Sequence, residues 1–384
     1  MAQKHIDYEP INRYFWLMNY NWQQNWWPAF KYDKALLNPK LDVFIQKEAY
    51  LKGINVSLKG KEEEQFKIEH LIQEALHTFE IEGEYLSRMD LRSSIETNLN
   101  LTKGNYKVKD ARSKGIIKLM FGIRESFNEE LRLKKIKEWH SIMMESYANI
   151  SIGEWRTSSE DMKIVSGSYL KEEVHFIAPP SKQVPAEMQK FVEWINGTVF
   201  CKKPNARTAP VHAGIAHLYF ESIHPFEDGN GRIGRALAEK VLAYELGYPM
   251  LYSISKSIIA SLDEYYEKLK VNQRRQDITD WLVYFIDRCL FAQNEMEKNM
   301  LHIVSKTKYF DKFKGMLNLR QEKVLNKMFD AGPNGFEGGM RAKKYMSIAK
   351  TSKATATRDL IELAKLNALI PHGEKRGRFY VLNI

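Results

Sequence analysis

The sequence predicts a mostly helical protein built from several parts, with very little sheet. Apolar residues recur at helical spacing along most of its 384 residues, as in Phe66, Ile68, Leu71, Ile72, Ala75, Leu76 and Phe79. Only two stretches, near 163–178 and 368–382, read as short strands around a turn. The texture also changes along the chain: aromatic side chains crowd the first sixty residues and positive charge crowds the last sixth. That length has room for two or three cores. No apolar run reaches membrane-spanning length, and Cys201 and Cys289 make neither a disulfide framework nor a metal set. A cytoplasmic protein without a membrane partner is expected.

Residues 1–84 are expected to form an N-terminal aromatic domain containing Tyr14, Phe15, Trp16, Tyr20, Trp22, Trp26, Trp27, Phe30 and Tyr32. Trp26-Trp27-Pro28 and Asn38-Pro39 punctuate it, and the rings read as a small core packing on the next domain. Its closing helix, Glu62–Phe79, runs into Thr78-Phe79-Glu80-Ile81-Glu82-Gly83-Glu84. Residues 85–297 form the next part. Helices are expected over Leu86–Leu99, Asp110–Phe121 and Glu129–Ala148, with His140 read as a core or boundary histidine. A hairpin follows over Lys163–Tyr169 and Val174–Ala178, closed by Pro179-Pro180. Val184–Asn196 and Ala209–Ile223 read as helices, the second carrying His212 and His217 with no third metal ligand in register. Helices over Ile233–Leu246 and Asp277–Glu297 complete this part, and 298–316 reads as a basic linker helix.

Residues 317–384 form the last part, with helices over Gln321–Phe329, Ala342–Ala349 and Ser352–Asn367 and a two-stranded wing flanking His372–Gly377. Its 13 Lys and Arg against 6 Asp and Glu point to an anionic partner, nucleic acid being the usual one; a solvated basic face is the alternative.

The chemistry concentrates between Ile223 and Leu237. His224-Pro225-Phe226 breaks a helix, Glu227-Asp228-Gly229-Asn230-Gly231 forms a polar turn, and a new helix begins with Arg232 and Arg235 on one side. Glycines let backbone N–H groups approach phosphate oxygens at the positive end of a helix dipole, and two arginines add bidentate contacts. Asp228 offers a carboxylate for Mg²⁺ and His224 a base. Gly229–Gly234 also matches GxGxxG, but a helix precedes it where a dinucleotide fold needs a strand.

This stretch resembles the signature of the Fic family, HxFx[DE]GNGRxxR, filled at His224, Phe226, Asp228, Gly229, Asn230, Gly231, Arg232 and Arg235. The resemblance implies a Fic helical core with a β-hairpin flap, and transfer of AMP from ATP to a Ser, Thr or Tyr hydroxyl of a target protein. On that pattern His224 is the base and Asp228 holds Mg²⁺. Phe226, Asn230 and the backbone of Gly229 and Gly231 belong to the nucleotide site, and Arg232 and Arg235 hold the outer phosphates. Thr78, Glu82 and Gly83 match the family's inhibitory signature [ST]xxxE[GN], which would pair Glu82 with Arg235. Flap residues Lys163, Ile164, Val165, Val174, His175 and Phe176 would pair with the target as an added strand. Tyr265 or Tyr266 is a candidate to stack on adenine, core packing being equally open.

The tail resembles a winged helix-turn-helix. Lys353, Thr355, Thr357 and Arg358 would start its recognition helix, and Lys375, Arg376 and Arg378 would lie on the wing, facing DNA or serving a protein contact. A homodimer is a further open alternative. Rival readings are another donor, removal of AMP, or a DNA-binding regulator whose core senses nucleotide without turnover.

Overall fold

The structure, a computed structural model, describes residues 19–57, 60–101, 107–166 and 173–384. The described residues fall into two compact units, one drawn from Met1–Glu48 and Lys67–Ala292, the other from Ala49–Phe66 and Gln293–Ile384. Among them no helix is long and apolar enough to cross a membrane.

In chain order the helices of the first unit begin with α1 (Lys34–Ser57) and α2 (Lys61–Ile81), each shared with the second unit. Then come α3 (Arg88–Asn98), α4 (Ala111–Glu125) and α5 (Leu133–Met144). Hairpin strands β1 (Lys163–Ser166) and β2 (Glu173–Ile177) precede α6 (Val184–Ile195), α7 (Ala209–Ile223) and α8 (Asn230–Leu246). Short helices α9 (Ile254–Ile259) and α10 (Leu262–Asn272) lead into α11 (Thr279–Lys312).

Helix α7 is the axis of this unit. All its residues except His212 are buried, which explains why its sequence is apolar on every side rather than striped. It packs most extensively on α8, with α6 on another flank, while α4 and α5 support α8. The N-terminal aromatics close over the same axis. Trp27 meets Tyr219 edge-on at 4.8 Å, Asn21 Nδ2 donates to Ser222 Oγ at 2.9 Å, and Trp22 Nε1 donates to the Ile177 carbonyl at 2.7 Å. Residues on both sides of the boundary expected at 84 therefore belong to one compact unit. Tyr14, Phe15 and Trp16 lie outside the described residues.

The hairpin is antiparallel, with Ile164 opposite Phe176 and Val165 opposite Val174, and an irregularity between Ile164 and Val165. Its tip, 167–172, lies outside the described residues. The linker expected at 298–316 is, as far as Lys312, the continuation of α11, because nothing between Thr279 and Lys312 is Gly or Pro to end the helix.

In the second unit α12 (Leu319–Phe329), α13 (Ala342–Ala349) and α14 (Lys353–Lys365) are followed by the antiparallel pair β3 (Leu369–His372) and β4 (Phe379–Leu382). Asn318 and Gln321 form a capping box that starts α12, and Ser352 caps α14. Val324, Leu325, Met328, Phe329, Tyr345, Leu360 and Leu363 form its core.

Candidate active site

The polar turn between α7 and α8 is held by a set of buried groups. His224 ends α7 in the left-handed region, φ 49° and ψ 61°, a conformation costly for a residue with a Cβ. Its N–H donates to the Phe220 carbonyl at 2.9 Å. Its carbonyl accepts from Arg156 Nε at 2.8 Å, while the Arg156 N–H donates to the Pro225 carbonyl at 2.9 Å. Arg156 is itself buried, and its guanidinium also reaches Ser181 Oγ and the Pro179 carbonyl. His224 is thus set at a bend that a buried arginine fixes.

Phe226 is fully buried and stacks on His140 with centroids 3.8 Å apart and planes 8° from parallel. His140 Nδ1 accepts the Gly153 N–H at 2.9 Å, so Nε2 carries the ring proton and donates it to the Asp228 carbonyl at 3.0 Å. Burial, the largest influence, lowers the pKa of this ring. Asn230 uses both ends of its amide on Phe226, accepting its N–H and donating to its carbonyl, each at 2.9 Å. Two expectations change here: Phe226 is core, and the Asn230 side chain ties the loop together, so neither side chain is free to meet a nucleotide.

Glu82 lies against the first turn of α8. Its Oε1 is 2.8 Å from Arg235 Nη2, and a Cβ added to Gly231 would stand 2.2 Å from that oxygen. The carboxylate therefore rests on the bare backbone of Gly231, at the helix end where partial positive charge gathers. Arg235 is buried and held twice more by Thr78, whose Oγ1 accepts from Nε and whose carbonyl accepts from Nη2, both at 2.8 Å. Burial, the largest single influence, works against the charge on Arg235, but Glu82, Tyr265 and Glu221 together outweigh it and raise the arginine pKa.

The aim of Glu82 comes from the end of α2. Gly83 sits at φ 73°; its N–H donates to the Glu80 carbonyl and that of Glu84 to the Phe79 carbonyl, each at 3.0 Å. This pair of bonds is the Schellman termination, which needs a left-handed residue and so explains a glycine after Glu82.

Arg232 departs from expectation. It is 2% exposed, donating from Nη1 to Glu84 Oε1 at 2.8 Å and Tyr147 Oη at 2.7 Å, and from Nη2 to Asp228 Oδ1 at 3.0 Å. Glu84 also binds Arg112 Nη1 at 2.7 Å. In this state Arg232 fastens the loop to the end of α2 and offers no open face to a phosphate.

The remaining expected residues divide by exposure. Asp228 is half exposed, with Oδ1 taken by Arg232 and the Gly229 N–H. Tyr265 is enclosed, its hydroxyl bonded to His217 Nε2 at 2.8 Å, so it has no face for adenine; Tyr266 is 46% exposed, and its hydroxyl donates to the Ile81 carbonyl. On the hairpin, Lys163 and Val165 are exposed, Ile164, Val174 and His175 are partly buried, and Phe176 turns inward against Tyr20 at 4.9 Å. Phe176 is therefore core. In the second unit Lys353, Thr357, Arg358, Lys375 and Arg378 are exposed and Thr355 is partly buried. Thr357 Oγ1 donates to the Lys353 carbonyl, and the Arg376 side chain lies outside the described ones.

Helices packed around α7 and α8, together with a His-Asp-Arg turn at their junction, define a Fic-type core: the chain belongs to the Fic/DOC family. That family matches residues 130–242, and a domain of unknown function (DUF4172) matches residues 20–101. A Fido domain-containing protein of Dictyostelium discoideum is 35% identical over 113 residues, covering 29% of this chain and 75% of that protein. Protein adenylyltransferase Fic of Aedes aegypti is 29% identical over 199 residues, 51% of this chain and 35% of that protein. The chain thus spans about a third of the length of the adenylyltransferases it matches. Among solved structures, a Fic family protein from Desulfovibrio desulfuricans G20 aligns with a TM-score of 0.53 at 18% identity, covering 90% of this chain and 96% of that one. A Fic domain-containing signaling protein from Bacteroides thetaiotaomicron aligns at 0.51 and 19% identity, covering 70% and 97%. These two likenesses bear on the fold.

Proposed function

We propose that the protein transfers AMP from ATP to a hydroxyl of a target protein and is held in check by Glu82. The observation that carries this is the Glu82 carboxylate resting on Gly231 and bound to Arg235, beside the His-Asp turn. An acidic side chain stands where a phosphate group would be bound.

With Glu82 withdrawn, Arg235 and the first-turn N–H groups of α8 receive the outer phosphates. His224 Nε2 takes the proton from the Ser, Thr or Tyr hydroxyl, whose oxygen attacks the α-phosphorus in line. The bond to the bridging oxygen breaks, AMP is left on the target and pyrophosphate departs. Asp228 fits a Mg²⁺ site: it is half exposed, Oδ2 has no hydrogen-bond partner among the described residues, and Mg²⁺ bound with phosphates needs only one or two carboxylates. Bound there, the ion would neutralise charge developing on the phosphates. The outer edge of β1, which carries the exposed residues Lys163 and Val165 and has no further strand beside it among the described residues, suits pairing with an extended target segment.

The test is transfer of label from α-labelled ATP. Weak labelling by wild type, strong labelling by Glu82→Gly and none by Glu82→Gly/His224→Ala is expected. Absence of labelling in all three, with ATP still bound, would point to another donor or a nucleotide sensor.

A second reading concerns the second unit. The exposed cations Lys353 and Arg358 at the start of α14 and Lys375 and Arg378 beside β4 support a winged helix-turn-helix that binds DNA phosphates. Fluorescence anisotropy with a labelled duplex tests it: binding that weakens steeply with salt is expected, and none at low salt would overturn it.

A further inference from the structure

We propose that Glu221 is the positioning residue for His224, selecting its tautomer and facing the charge the ring acquires. This rests on His224 acting as the base. Glu221 lies one helical turn before His224 on α7, and its Oε2 is 3.6 Å from His224 Nδ1. Glu221 is buried and His224 partly so, and each leaves a buried atom over: His224 Nδ1 and Glu221 Oε1 have no hydrogen-bond partner among the described residues. A buried carboxylate with one oxygen left unbonded costs stability, a cost that holding the fold together does not explain.

The surroundings keep this carboxylate charged and leave room for it. Burial pushes its pKa up, but His224, His217 and Arg235 outweigh that and hold it below the usual carboxylate value. Across from it α8 carries Gly234, where a Cβ would stand 2.5 Å from Glu221 Oε1 and 3.0 Å from His217 Nδ1. Only a residue without a side chain lets α8 pass at that point.

An ionised carboxylate can only accept. Facing Nδ1, it favours the neutral ring with its proton on Nδ1, which leaves the lone pair on Nε2 to take a proton. When the target's hydroxyl proton moves to Nε2, the ring becomes a cation beside Glu221 and is stabilised there. A separation of 3.6 Å is one that tightens once a substrate orders the site.

The test uses the full chain with Glu221→Gln and Glu221→Met, each also in the Glu82→Gly background. Long-range ¹H–¹⁵N NMR of the histidine rings, with His224→Gln to assign the signal, reads the tautomer without ATP or turnover. Nδ1–H is expected in wild type, with a shift toward Nε2–H in Glu221→Met; an unchanged ring, or Nε2–H in wild type, would overturn the proposal. In labelling assays both variants should lose on the order of 10²-fold in kcat with KM for ATP little changed. Equal kcat with and without Glu221 would also overturn it. A silent Glu82→Gly parent would count against the transferase reading, while the ring tautomer would still decide the role of Glu221.

Discussion

Thr78 grips Arg235 from two sides, its hydroxyl accepting from Nε and its carbonyl from Nη2, both at 2.8 Å. The threonine one helical turn before Glu82 thus has a direct physical use: it presents the arginine to that carboxylate. Thr78→Val keeps the shape and removes one acceptor from a buried cation. We expect labelling intermediate between wild type and Glu82→Gly, with about 1–3 kcal/mol lost from stability. Parallel labelling and denaturant unfolding check both.

Gly231→Ala should separate the two occupants of the cradle. Its methyl group would stand 2.2 Å from Glu82 Oε1, so the carboxylate must leave. The same methyl covers the backbone where a phosphate would lie. Loss of ATP binding by calorimetry is therefore expected both in Gly231→Ala and in Gly231→Ala/Glu82→Gly. Labelling as strong as Glu82→Gly in either variant would contradict the cradle.

The clamp on Arg232 predicts a stability effect at Glu84. Glu84→Ala leaves Arg232 buried with Tyr147 and Asp228 alone, and Arg112 without one carboxylate. A loss of about 2 kcal/mol is expected, less than for a fully buried pair because Glu84 is partly exposed. Urea unfolding measures it; a loss below about 0.5 kcal/mol would place the clamp among ordinary surface pairs.

His140 gives a pH dependence with a definite sign. Its folded pKa is lowered by burial, so the unfolded chain takes up a proton first as pH falls through the ordinary histidine value of 6.5. Stability conferred by the neutral ring is complete above that value and is lost as pH drops below it. His70 and His217 are lowered by burial as well and add to the slope. His140→Phe keeps a ring on Phe226 and should flatten the fall of the thermal midpoint between about pH 7 and 5. An unchanged slope would mean that the ring is protonated in the folded state.

The motif is legible because its chemistry lies in one short stretch, and the bounds of α7 follow from an apolar run ended by His-Pro. The roles inside it are less legible, since a signature gives identities and not directions. Asn230 and Phe226 fill motif positions yet point into the protein, and only the packing of His140 on Phe226 shows why. Arg156, His140, Tyr147 and Glu84 reach the turn from elements far away in sequence, and no local pattern marks that meeting. Glu221 is the exception: it stands three residues before His224 in the last turn of α7, a signal that lies outside the motif itself. The continuous α11 has a signal too, in its want of breakers.

The Schellman turn at Gly83 makes Glu82 a ligand on a very short tether. A group fixed in this way acts at an effective concentration of the order of millimolar or more, whatever the protein concentration. A free anion that offers one carboxylate-like contact competes poorly with it. A ligand gains the upper hand only by engaging the turn at several points together, which a triphosphate with its nucleoside can do and inorganic phosphate cannot. On the proposed reading, the same contact that silences the site also filters what can open it.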